Sequence, residues 1–369
     1  MIVAAMRRQC PVCGIPWVTS FMLRWRQNGT ITMFLNEDFR AVVVRQSQVT
    51  NLVHRINEKL GTSIEHIVFE AQRNAAKMTF DNTFDGIPGV RLALRSNHIK
   101  RTVVEYFNLI AVACGQCTSE TLFYEPGKRG GARIRNPFYI PMMAAYVVGA
   151  FESLEGFPFD SEWVETGPDT YELTVDASSA KPEVADRMQL EVAHVLPGGN
   201  KLEKCPRCRA PMALAHWDYD MEKGTITDIR TGARVFVLDG FGFSAVFREL
   251  IAELGEEVQE VLVDVQREWT VEHLGQLGFA VSDEALSGED LEKAYRDYLA
   301  NVPLDGMGNP VSFEMVGGNI EVTIENPYNV YILAGTLKGL YEALEKTECE
   351  VKWNEARPGA MHFTVGPRR

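Results

Sequence analysis

A pattern set near the start of this chain returns about 195 residues later. Cys10-Pro-Val-Cys13 recurs as Cys205-Pro-Arg-Cys208, and Gly29-Thr-Ile-Thr32 as Gly224-Thr-Ile-Thr227. One residue is then lost: Leu60-Gly61 matches Leu254-Gly255, and Gln72-Arg73 matches Gln266-Arg267. After a divergent middle, Asn136-Pro137 matches Asn326-Pro327, and the series continues through Gly149/Gly339, Leu154/Leu344, Trp163/Trp353, Glu165/Glu355 and Thr174-Val175/Thr364-Val365. A collinear series with small drift in offset marks two copies of one unit, about 10–176 and 205–366. We divide the chain into a first repeat (1–176), a linker (177–204) and a second repeat (205–369). The copies are expected to superpose and to face each other about a local two-fold axis, as an internal pseudo-dimer.

Each copy reads as an α+β unit, a helical layer on an antiparallel sheet. The Cys-Pro-x-Cys turn comes first. Segments 21–25 and 30–34 flank Asn28-Gly29, which supplies the positive φ of a hairpin turn. Apolar strands follow at Ala41–Val44 and Val235–Leu238. Apolar residues then keep helical spacing (Val49, Leu52, Val53, Ile56; Phe247, Leu250, Ile251, Leu254), with second helical stretches at Ile64–Ala76 and Val258–Val271. The middles, 77–125 and 272–315, read as mostly helical with loops. A strand at Asn319–Ile324 enters the Asn-Pro turn, which bars helix before the proline. Leu333, Leu337, Leu340 and Leu344 then stripe a helix, and two strands close the unit.

Six of the seven cysteines form Cys-x-x-Cys pairs: Cys10/Cys13, Cys114/Cys117 and Cys205/Cys208; Cys349 stands alone. In a reducing compartment such pairs read as metal or redox sites. A structural zinc takes four ligands, and each repeat head supplies two thiolates. If the heads meet on the pseudo-two-fold axis, Cys10, Cys13, Cys205 and Cys208 complete one Zn2+ site, which explains why both copies keep the pair. Other arrangements remain open: Cys10/Cys13 with Cys114/Cys117, His216 as a replacement ligand, an iron–sulfur cluster, or uncoordinated thiols. Cys114-Gly-Gln-Cys117 occurs in the first copy alone. A redox dithiol usually opens a helix after a strand. This pair follows apolar Leu109–Ala113, a segment that fits helix or strand, so a structural role or a metal site shared with another subunit is expected ahead of redox catalysis.

Of the chain's net charge of −13, residues 1–195 carry −1 and 196–369 carry −12. Such a surface repels phosphate backbones, so general nucleic-acid binding is not expected. Lys128, Arg129, Arg133 and Arg135 read as a basic loop, solvated or anion-binding. No apolar run reaches the ~18 residues of a membrane helix. Five apolar residues before Arg7 and Arg8 do not form a secretory signal. We therefore expect a cytoplasmic protein with no membrane span. There is no GxGxxG, no GxxxxGK[ST], no GxSxG and no HxxxH pairing. Glu165/Glu355 and Trp163/Trp353 recur in both copies, as positions the fold itself requires would.

The later part of each copy, RNPF…VVGAFESLEGFPFDSEWVETGPDTYELTV and ENPY…LKGLYEALEKTECEVKWNEARPGAMHFTV, resembles the 4-vinyl reductase-like domain. LVHRINEKLGTSIEHIVFEAQRNAAK and VFRELIAELGEEVQEVLVDVQREWT fit the family's earlier part. The resemblance implies the ligand-binding fold shared by NO-signalling sensors and Golgi vesicle-tethering subunits. Its members include sensor domains of aromatic-hydrocarbon-responsive activators and a protein linked to bacteriochlorophyll 4-vinyl reduction. Metal-binding members carry a Glu-x-x-Cys…Cys cluster near the last two strands. The matching stretches here, 162–173 and 352–363, hold no cysteine, so that site is expected to be absent. The CPxC head is an addition to the domain.

In that fold a pocket lies between helices and sheet. Met142, Met143, Tyr146 and Phe151, on an apolar helix of the first copy, are its candidate lining, although helical spacing also fits a plain core. These readings converge on a non-catalytic small-molecule-binding protein, a sensor or carrier of a hydrophobic or aromatic ligand, with a structural zinc. The alternatives are an enzyme or assembly factor in aromatic or tetrapyrrole metabolism, or a scaffold for protein partners. An apolar cavity favours the first, a polar cleft with converging titratable groups the second, and a filled core beside an exposed apolar patch the third.

Overall fold

The computed structural model describes residues 8–34, 36–180, 195–280 and 282–368; residues 181–194 of the linker lie outside them. The first repeat runs α1 (Trp17–Met22), β1 (Leu23–Trp25), β2 (Ile31–Met33), β3 (Asn36–Arg45), α2 (Gln46–Leu60), α3 (Glu65–Gly86), α4 (Val90–Ala93), α5 (Asn97–Ala113), β4 (Thr118–Glu125), β5 (Arg129–Arg135), α6 (Ile140–Glu155), β6 (Phe159–Gly167) and β7 (Thr170–Ala177). The second runs β8 (Trp217–Asp220), β9 (Thr225–Asp228), β10 (Ala233–Asp239), α7 (Gly242–Leu254), α8 (Val258–Glu272), α9 (Gly288–Asn301), β11 (Asn309–Val316), β12 (Asn319–Glu325), α10 (Val330–Glu345), β13 (Cys349–Arg357) and β14 (Ala360–Pro367), with short 3-10 turns at Met212–Leu214 and Leu274–Leu277.

Among the described residues the architecture is α+β with three antiparallel sheets. Two have the same order, β4-β5-β7-β6 and β11-β12-β14-β13, one per repeat. The third joins the repeats: β1-β2-β3-β10-β9-β8 reads as a palindrome about the β3/β10 junction. Within that junction Val43 pairs with Val237, its own counterpart, as a two-fold axis through the pair requires. The apolar runs Ala41–Val44 and Val235–Leu238 are buried throughout, the pattern of strands covered on both faces.

Each repeat's head packs on the other repeat's body. The hairpin glycines need both a positive φ (+75° at Gly29, +65° at Gly224) and close backbone approach: a Cβ on Gly29 would lie 2.2 Å from Gly308 O, and one on Gly224 2.1 Å from Cys117 O. Val43 N donates to Asp305 O and Val237 N to Cys114 O. The same reciprocity covers the Asn-Pro turns, where Asn136 Nδ2 donates to Lys223 O and Asn326 Nδ2 to Asn28 O. Both asparagines hold φ near +50° (52° and 51°), which Asn tolerates better than most side chains. Gly149 and Gly339 recur for another reason: a Cβ there would lie 2.2 Å from Arg73 O and 2.8 Å from Arg267 O, where α6 meets α3 and α10 meets α8.

The structure departs from the sequence reading in several places. Phe21 and Met22 end helix α1 rather than opening the hairpin strand. The second helical stretch of the first copy extends to Gly86. The middle, read as mostly helical, contains strands β4 and β11. The basic segment is no loop: Arg129–Arg135 forms β5, with Arg129 paired to Glu125, Arg133 to Glu172 and Glu120, and Arg135 to Glu120. Cross-strand acids therefore satisfy these arginines.

Candidate functional site

The two Cys-Pro-x-Cys turns meet. Ligand atoms of Cys10, Cys13, Cys205 and Cys208 all lie within 4.8 Å of one another, and all four residues are buried. Cys10 Sγ is 3.8 Å from Cys205 Sγ, and Cys13 Sγ is 3.3 Å from Cys208 Sγ. Four sulfurs around zinc at ~2.3 Å stand about 3.8 Å apart in a tetrahedron. Each turn is closed by its own backbone: Gly14 N donates to Cys10 O and Arg209 N to Cys205 O. Backbone N–H groups also point at sulfur. Burial opposes ionisation of Cys205, but the N–H groups of Cys208 and Arg207 and the thiols of Cys13 and Cys208 outweigh it, bringing Cys205 down to about 6. Burial among thiols pushes Cys13 far up instead. Four buried sulfurs at this spacing are a donor set suited to a soft divalent cation.

The other cysteines are elsewhere. Cys114 and Cys117 cap the C-terminal end of α5, the end that does not favour thiolate, and burial pushes each up to about 12. Their turn presents Cys114 O to Val237 N and Gln116 Nε2 to Val237 O. The second repeat makes the same turn from Asp305-Gly306-Met307-Gly308, without thiols. Cys349 is also buried and raised to about 12. His216 is not with the four sulfurs; its Nε2 lies 3.4 Å from Asp228 Oδ2.

A cavity of about 50 Å3 lies in the first repeat, between helices α5 and α6 and the sheet strands β4, β5 and β7. Met143, Tyr146 and Phe151 line it, whereas Met142 is buried outside its wall. The remaining lining is apolar (Val104, Phe107, Ala111, Ala132, Ile134, Ala150, Leu173), with Asn108, Ser119 and Thr121 as a polar side, where Asn108 Nδ2 donates to Thr121 Oγ1 at 3.0 Å. The repeats explain why the cavity is here. The turn hydrogen bonds Gln116 N to Ala111 O and Met307 N to Val302 O align α5 with α9. Carrying the alignment through, Asn108, Ala111, Gly130, Ala132, Ala150 and Leu173 stand where the second repeat has Leu299, Val302, Ile320, Val322, Leu340 and Phe363, all buried. The same six places hold less volume in the first copy.

A larger and more polar cleft of about 710 Å3 lies in the second repeat, between the β8–β9 hairpin and α9. It brings together His216, with Nε2 3.4 Å from Asp228 Oδ2, Arg230 at 3.1 Å from the same Asp228 Oδ2, and Arg45 at 3.1 Å from Asp305. Burial opposes the Asp228 carboxylate, but His216 and Arg230 outweigh it and hold it well below its usual range. Asp305 is shifted upward, because burial exceeds the help from Arg45. Sequence reasoning offered His216 only as a metal ligand and named neither Asp228, Arg45 nor Asp305 for a site: their positions share no motif, and the heads and α9 meet only through the fold.

No helix among the described residues is long and apolar enough to cross a membrane. No family model matches the chain, and no curated protein matches it. Among solved structures, the crystal structure of the phenol-responsive sensory domain of the transcription activator PoxR with phenol aligns with a TM-score of 0.33 and 14% identity, over 41% of this chain and 85% of that one. A likeness this distant assigns neither ligand nor role.

Proposed function

We propose that this chain is a zinc-stapled, duplicated 4-vinyl reductase-like protein that binds a small apolar or aromatic molecule in its first repeat. The observation that carries the reading is the asymmetry between copies. Six inward positions that pack the second core with Leu299, Val302, Ile320, Val322, Leu340 and Phe363 are smaller or less apolar in the first, and a cavity lies there. An unused core would relax toward equal filling, because each lost methylene costs packing energy. The polar side at Asn108, Ser119 and Thr121 suits a ligand with one hydroxyl or carbonyl. At about 50 Å3 the cavity is smaller than the ~150 Å3 that accommodates benzene, so binding requires a wall to move. Phe151 is that wall: its ring faces Gly130, where a Cβ would come within 2.6 Å of it. Zn2+ held by Cys10, Cys13, Cys205 and Cys208 would fix the two heads together and supply no chemistry to the cavity.

A thermal-shift screen of phenols, aromatic hydrocarbons, fatty acids and tetrapyrroles tests the reading. A ligand at a hundred times its dissociation constant stabilises by roughly 2.7 kcal/mol. The double variant Ala132→Val/Ala150→Leu, which carries the second repeat's residues, is expected to abolish the shift while keeping the fold. No shift in any class, or a shift unchanged in that variant, removes the proposal.

One observation favours the enzyme alternative: the polar cleft holds His216 beside an ionised Asp228, an arrangement suited to general base catalysis. His216→Ala and Asp228→Asn would abolish turnover of any substrate found for that cleft and leave the first cavity's ligand shift intact.

A further inference from the structure

A third cleft, of about 520 Å3, opens beside the cysteine cluster, with Cys208 in its lining. Its titratable lining apart from that thiol is entirely cationic: Arg24, Lys204 and Arg209. Among the described residues none of the three is paired with a carboxylate, in a chain whose net charge is −13. Arg24 is fixed by donating to Ser20 O, which leaves its charge uncompensated; burial and the neighbouring Arg26 both disfavour its proton. Arg26 itself is already paired with Glu37. Two more exposed cations, Arg8 and Arg207, stand on the same knuckles. A zinc with four thiolates would carry two negative charges, fewer than these five cations.

Three of the five remaining lining residues are aromatic, Trp17, Phe21 and Trp25, beside Ser20 and Leu23. Phe21 is about half exposed (47%), as is Phe34 (46%), whose ring centre lies 4.9 Å from that of Phe21. The Arg24 guanidinium lies 4.9 Å from the centre of the Phe34 ring. Flat apolar faces interleaved with unpaired cations are the two halves of a site for a ring system that carries phosphate: the ring stacks, and the anion meets the arginines and lysine. The volume lies within the range of small-molecule sites. By strand register the counterpart hairpin has Asp218 where this one has Arg24, while Trp217 and Tyr219 stand where Leu23 and Trp25 do, so the repeat imposes the apolar lining but not the positive charge.

We propose that this cleft binds a nucleoside phosphate, either free or as one nucleotide of a single strand. The acidic remainder of the chain disfavours long polyanions without opposing a single nucleotide at this spot. The test is a tryptophan-fluorescence titration of the full zinc-loaded chain with AMP, with a short single-stranded oligonucleotide and with inorganic phosphate. Saturable AMP binding that weakens as salt rises is expected. Lys204→Glu/Arg209→Glu, whose side chains are exposed, should weaken it at least tenfold, as should Phe21→Ala, with zinc content and circular dichroism unchanged. Affinity that grows with oligonucleotide length identifies a strand as the source, and equal affinity identifies a free nucleotide. Absence of saturation by both nucleotide probes, binding indifferent to the charge reversal, or inorganic phosphate binding as tightly as AMP overturns the proposal. The last outcome leaves cations that only offset the metal–thiolate charge.

Discussion

Arg40 and Arg234 occupy equivalent places on the two central strands, and each donates to the asparagine carbonyl that precedes the other repeat's closing helix: Arg40 to Asn326 O, Arg234 to Asn136 O. Arg40 also reaches Gly306 O and Pro327 O, and Arg234 reaches Gln116 O. Burial lowers the pKa of Arg40 to about 10, so it remains charged at neutral pH. Carbonyl dipoles, not carboxylates, hold both cations.

Removing Arg40 takes a donor from the carbonyls of Gly306, Asn326 and Pro327, and removing Arg234 takes one from those of Gln116 and Asn136. Arg40→Ala and Arg234→Ala should each lower the unfolding free energy by at least about 1.5–3 kcal/mol, the scale of one hydrogen bond to a charged group. Urea denaturation of the two variants measures this. Losses below about 0.5 kcal/mol, the size of an ordinary surface change, would contradict it.

The metal prediction rests on the sulfur geometry. Chain purified under reducing conditions should contain one zinc per four clustered thiols. Cys10→Ser or Cys205→Ser should release it, and Cys114→Ser or Cys349→Ser should not. Metal analysis by mass spectrometry decides. If Cys114→Ser empties the protein and Cys205→Ser does not, the shared centre is wrong.

Much of this was legible from the repeat. Four thiols at equal offsets pointed to one site because two pairs need each other. The exchange of heads was not legible, since an alignment is identical whether Gly29 packs on its own body or on Gly308. Strand β5 was missed because Gly130-Gly131 and alternating arginines look like a loop. Their meaning depends on partners, Phe151 on one face and Glu172 on the other, that lie far along the chain. The cavity became visible only when helix-end hydrogen bonds aligned α5 with α9. Met142 and Met143 could not be distinguished by spacing alone.

Two glycines separate backbone strain from crowding. Gly61 has φ +66° and nothing within 4 Å of the place a Cβ would occupy, so Gly61→Ala should cost about 1–2 kcal/mol. Gly224→Ala adds a collision with Cys117 O at a similar φ of +65° and should cost clearly more. Equal melting temperatures for the two variants would show that the second head does not press on the first body.

Two buried aspartates should respond oppositely to pH. Burial raises Asp239 above its usual value despite Gln72 and the N–H groups of Gly242 and Phe241. Its native pKa exceeds its unfolded one, so its contribution to stability declines as pH rises through that window. Asp228 is depressed, so its contribution is present above the unfolded value near 4 and is lost as pH falls. Relative to wild type, Asp239→Asn should gain stability from pH 4 to pH 7, whereas Asp228→Asn should lose it. Melting curves at both pH values check the two signs, and parallel slopes would refute the assignment.

The Val43–Val237 pair has an evolutionary consequence. A residue that pairs with its own copy is what a symmetric homodimer presents at its dyad, and here the dyad is internal. Fusing two identical protomers ends the requirement that every substitution appear twice. One half can then hollow its interior while the other keeps a filled one as ballast. Divergence of this kind is closed to an unfused dimer, in which a hole carved in one protomer is carved in both.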